Sequence, residues 1–192
     1  MKLLPGSISC LLFLLLLVEL PILATSHPTP MRPHKDGLTK LFQKMRRLIH
    51  IVHGVVQHHD GLPGLPLVQN LTSLPALNFR PKDLAAVEAN STLSKLSFGL
   101  HSFKLHFDWL LYWHTESGLV SNRIKEIADE IQSVIILAQK QTNSPAPDTV
   151  LSLPPLKSAW EIHMTSTAIS RRLQDFCSWY SRALLVLMSA KN

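Results

Sequence analysis

The sequence predicts an all-α protein, an up-up-down-down four-helix bundle with two long crossover loops. Three observations predict it. Four segments, at roughly Asp36–His59, Ser91–Ser117, Val120–Gln141 and Ala159–Ser189, repeat apolar residues at spacings of three and four, and none sustains a period-two alternation. The joint between the second and third is only a few residues, so those helices must be antiparallel neighbours. The other two joints are long. A first helix of about 36 Å can be retraced by Thr142–Ser158, which reaches on the order of 55 Å when extended.

Ahead of the helices, residues 1–26 read as a signal peptide. Lys2 supplies the positive start, Leu11–Val18 the apolar core, and Ala24 and Ser26 a small-residue cleavage site. The run is too short for a membrane anchor, and Glu19 interrupts it. Residues 27–192 then form one secreted, extracellular domain, with no later segment apolar enough to insert in a membrane.

The first helix carries the stripe Leu38, Leu41, Met45, Leu48, Val52 and Val55. It also concentrates the basic residues of a chain with net charge +6, at Lys35, Lys40, Lys44, Arg46 and Arg47. An acidic protein surface or a sulfated cell-surface polysaccharide would suit that charge, as would plain solvation. Nucleic acid does not fit an exported chain without a recognised binding motif.

Gly61, Pro63, Gly64, Pro66, Pro75 and Pro81 make His59–Asn90 a connector instead of a helix. Asn70-Leu71-Thr72 and Asn90-Ser91-Thr92 are sequons, so Asn70 and Asn90 are candidate glycosylation sites. The second helix buries Leu93, Leu96, Leu100, Phe103, Phe107 and Leu110 and bunches Trp109, Tyr112 and Trp113 near its end, where Gly118 suits a left-handed cap. The third buries Val120, Ile124, Ile127, Ile131, Val134 and Ala138. Pro145, Pro147, Pro154 and Pro155 stiffen the last connector into an extended strap.

The fourth helix opens on the capping-box pair Ser158 and Glu161 and buries Ile169, Leu173, Phe176, Tyr180, Ala183 and Leu187. Trp160, Trp179 and Arg182 fall off that stripe. Tryptophan and arginine are the residues that most often anchor interfaces, although packing against the strap and simple solvation are the alternatives. Cys177 is the one cysteine outside the leader, and its spacing to Leu173 and Leu184 places it near the buried seam.

Catalysis has no visible basis. There is no G-x-S-x-G, no phosphate-binding glycine loop and no nucleophile signature around Cys177. His50, His53, His58 and His59 lack the carboxylate or cysteine partners of a metal site, and no cofactor is implied.

The residues resemble one family. Asn70–Leu77, NLTSLPAL, is similar to the segment after the first helix in the interleukin-11 family, and the likeness runs on through Leu93, Leu96 and Leu100 to Trp109. Ser158-Ala159-Trp160 resembles that family's entry to the fourth helix, and Trp179 to Leu185, WYSRALL, its terminal tryptophan–arginine–leucine pattern. The resemblance implies a long-chain four-helix cytokine of the interleukin-6 group, which binds a specific alpha receptor and brings in glycoprotein 130 so that receptor-associated kinases activate. By position it assigns Arg182 and Trp179 to the interleukin-11 receptor alpha chain, with Leu74 and Phe79 from the adjoining loop. It assigns Trp160 to a signalling receptor at the bundle tip. The family has aspartate where this chain has Ser178, and it lacks Cys177 and both sequons. A group member with another alpha receptor, or a secreted lipid-binding or membrane-active helical protein, is the competing reading.

Overall fold

The structure is a computed structural model, and it describes residues 35–57, 71–142 and 152–190. The expected leader, Asn70 of the first sequon, His58, His59, Pro145 and Pro147 lie outside the described residues. Four long helices carry the fold: α1 (Lys35–Gln57), α2 (Ala89–Glu116), α3 (Asn122–Thr142) and α4 (Ala159–Ser189). A 3-10 turn at Pro81–Ala86 precedes α2.

Cross-helix contacts fix the directions. Gly37 at the start of α1 lies against Gln141 at the end of α3, and Thr39 meets Met188 at the far end of α4. His101 of α2 meets Gln139 of α3, and His114 of α2 meets Ser166 of α4. Thus α1 and α2 each run antiparallel to both α3 and α4. Each also packs on both, leaving α1/α2 and α3/α4 as the diagonals. The arrangement is up-up-down-down, as the joint lengths predict.

The apolar stripes close one core, with Phe103, Phe107 and Phe176 its largest fully buried side chains. Cys177 lies within it, fully buried and unpaired, and burial pushes its thiol up and out of the reactive range. Gly99 lets α2 approach α4 closely, because a Cβ there would overlap the Phe176 ring.

Helix ends follow their local chemistry. Gly118 takes φ 65°, Gly118 N–H donates to Thr115 C=O at 3.1 Å, and Leu119 N–H donates to His114 C=O at 2.9 Å, a Schellman cap for α2. Glu161 N–H donates to Ser158 Oγ at 3.1 Å, half of the expected capping box. The other half differs: Glu161 Oε2 accepts from Lys157 N–H at 2.8 Å, one residue before the cap, because the extended chain brings that amide over the carboxylate.

Two expectations on the bundle are corrected. Val120 belongs to no core; it is 86 % exposed in the joint, since the Schellman turn delays α3 until Asn122. The second helix begins at Ala89, ahead of Ser91, so Asn90 of the second sequon sits half-buried in a helical first turn.

Candidate functional site

The residues set apart in α4 occupy two separate surfaces. On the first, the crossover folds back along α4. Phe79 stacks on Trp179 with ring centroids 4.3 Å apart and planes at 13°, and meets Tyr180 edge-on at 5.7 Å. Phe176 continues the cluster, 4.6 Å from Tyr180. Trp179 is therefore half-buried beneath Phe79, and its Nε1–H is buried with no partner among the described residues. Tyr180 is almost fully buried, and loss of water pushes its phenol up to about 12, so it stays neutral.

Arg182 lies one helical turn beyond Trp179 and is exposed, with no hydrogen bond or ion pair to another described residue. Asp175 and Leu185 are exposed on the same outer ridge, and Ser178 is half-buried beside them. An unneutralised guanidinium one turn from an aromatic stack suits a partner that brings a carboxylate and a flat apolar patch. Between the crossover and α2 lies an open groove of about 550 Å³, lined by Pro75, Ala76, Phe79, Phe98, Phe176 and Tyr180.

Leu74 requires a correction. It is 3 % exposed and belongs to the core, so it fastens the crossover to the bundle and offers nothing to a partner. The turn in which Leu74 N–H donates to Leu71 C=O at 3.1 Å points its side chain inward.

The second surface is the tip where α2 ends and α4 begins. Trp160 is 60 % exposed, whereas Leu156 is a strap residue that is buried. The Trp160 ring lies over His163, with centroids 6.1 Å apart and planes at 28°. Behind it, Ser166 donates to Ile162 C=O at 2.7 Å, so His114 Nε2–H must be the donor to Ser166 Oγ at 3.2 Å. Burial, and then the nearby His163, hold His114 below the ordinary histidine range. Trp109 and Trp113 pack against the core as expected, while Tyr112 is 56 % exposed and meets Trp113 edge-on.

Along α1, Lys40, Arg46 and Arg47 are exposed, and Lys44 is 3.2 Å from the buried carboxylate of Glu130, with Arg47 at 3.8 Å. Part of the basic character of α1 is thus spent on an internal ion pair. Among the described residues no group of histidine, cysteine or acidic side chains is arranged to hold a metal, and no helix is long and apolar enough to cross a membrane.

Nothing local marks the residues that seat the crossover, Ser73, Ser102, His106 and Arg172. Each falls on an unremarkable polar position of its own segment, and only the closed bundle brings them together.

A sequence model of the family described as Interleukin 11 matches residues 28–191. A direct comparison with curated proteins gives no match.

Proposed function

The chain belongs to the interleukin 11 family of cytokines, and we propose that it acts by binding alone, joining an alpha receptor to glycoprotein 130 so that kinases on their intracellular tails activate one another. Members of the family are secreted signalling ligands, which accords with residues 1–26 acting as a cleaved leader.

The observation that carries the reading is the exposed, unneutralised Arg182 beside the Phe79–Trp179 stack. Arg182 and the upper edge of that stack form the alpha-receptor contact. Trp160, far exposed at the tip, anchors a signalling receptor. The surface shared by α1 and α3 takes the other signalling receptor, and the exposed Lys40 and Arg46 add affinity for sulfated polysaccharide. Asn90, half-buried, accepts a glycan before the helix closes.

The test mixes the secreted protein with ectodomains of the interleukin-11 receptor alpha chain and glycoprotein 130, and reads complex mass by light scattering. A complex of all three components is expected; a monodisperse, helical protein that joins neither ectodomain refutes the reading. Arg182→Glu should abolish alpha-receptor binding with the circular dichroism unchanged. Trp160→Ala should keep the alpha receptor and lose the complete complex, and a fully active variant would return Trp160 to local packing.

A further inference from the structure

Residues 71–79 have little regular structure of their own, yet they carry the aromatic ring that covers Trp179. Such a segment keeps one shape only if its backbone groups are claimed from outside. Here they are claimed by a closed polar ring. Ser102 Oγ donates to Ser73 C=O at 2.7 Å. His106 Nδ1–H must donate to Ser102 C=O, 2.7 Å away, because a carbonyl only accepts. That leaves Nε2 as the acceptor for the Ser73 hydroxyl at 2.9 Å. Every hydrogen bond in the ring has one donor and one acceptor, and the tautomer of His106 is determined.

From α4, Arg172 closes the other side. One guanidinium nitrogen donates to Leu71 C=O at 3.3 Å and a second to Pro75 C=O at 3.0 Å. The planar fork thereby bridges both ends of the turn, which a lysine cannot do. Between them Leu74 is sunk in the core, and Pro75 lies against Gly99 and Phe176. His106 is fully buried, and desolvation first and Arg172 last hold it low, while the Ser102 carbonyl opposes them.

We infer that Ser73, Ser102, His106 and Arg172 are positioning residues for the alpha-receptor surface, a latch that holds 71–79 in the shape in which Phe79 covers Trp179. The inference rests on the reading of that surface given above. None of the four need touch the receptor. They act by ordering the crossover before binding, so that the ordering entropy is not charged to the complex. Without them the segment remains tethered by Leu74 but Phe79 samples positions off Trp179.

The experiment compares the full secreted protein with Arg172→Gln, Ser73→Ala and His106→Asn. Two quantities are read, hydrogen–deuterium exchange of the backbone amides in 71–79 and alpha-receptor dissociation by surface plasmon resonance. Faster exchange in 71–79, unchanged exchange in α1 and α3, and roughly 3- to 10-fold faster dissociation are expected. Phe79→Ala supplies the control that separates latch from general destabilisation. In its background Arg172→Gln should add little, because the latch acts through Phe79. An undiminished effect in that background, or wild-type exchange in 71–79 of all three variants, overturns the inference. Ser73→Ala removes a single hydroxyl, so it serves if His106→Asn fails to fold. A wild-type protein that binds no alpha receptor overturns the receptor reading instead, and the exchange data still decide whether the latch exists.

Discussion

Arg182 and Trp179 are three residues apart, yet their environments divide their work. Arg182 is exposed and pays no desolvation until a partner arrives, whereas Trp179 is already half covered by Phe79. Loss of Arg182 should therefore reach binding alone, while loss of Trp179 also unseats the crossover and lowers stability. At Gly99 the absent side chain is what matters. Gly99→Ala drives a methyl into the Phe176 ring, and an overpacked core of this kind loses about 1–3 kcal/mol. Chemical denaturation measures it, and unaltered stability would mean the ring has room to turn. His101, His106 and His114 are all held below the ordinary value of 6.5, mainly by burial. The unfolded chain then binds more protons than the folded one, so stability is complete above pH 6.5 and is lost as pH falls below it. The Tm should drop between about pH 7.5 and pH 5, less steeply in His106→Asn, which cannot titrate. A Tm that is level or rising across that interval contradicts the assignment.

At the scale of elements, the ends of α2 and α4 set where the bundle turns. Ser158→Ala removes the acceptor for Glu161 N–H and should lower stability by about 1 kcal/mol in urea unfolding. Gly118→Ala forces an alanine into φ 65°, which costs about 1–2 kcal/mol. Gly118→Asn should recover part of that loss, because asparagine tolerates the left-handed region. Equal losses for alanine and asparagine would contradict backbone strain as the cause, since a Cβ at Gly118 meets nothing within 4 Å. Both caps lie near the Trp160 tip, so weakening them should trouble the proposed signalling-receptor contact before the proposed alpha-receptor one.

The whole molecule is held by its core, as the buried, unpaired Cys177 makes plain. A bundle of this size with no cross-link among its described residues depends on close packing of long helices. Cys177 should resist thiol reagents in the native state and become labelled only on unfolding, with labelling and loss of helix sharing one midpoint. Rapid labelling of native protein would show that α4 opens locally. Arg182 and Trp160 lie on opposite parts of α4, so if both proposed receptor contacts hold their substitutions should combine additively.

Periodicity and joint length determined the bundle and its sequence of helix directions, because an amphipathic helix must bury its stripe and a short joint permits only reversal. The cap at Ser158 and the turn at Gly118 were legible for the same reason: their partners are a few residues away. Where burial depends on a turn, periodicity misled at Val120 in the joint, and the family resemblance misled at Leu74 in the core. The resemblance located Arg182, Trp179 and Trp160, and the tertiary structure decided how far each is exposed. The latch is tertiary throughout. Ser73 and His106 are 33 positions apart and Arg172 and Pro75 are 97 apart, so no local spacing encodes their meeting. Hydrogen bonds of that range exist only after hydrophobic burial has brought α2, α4 and the crossover together.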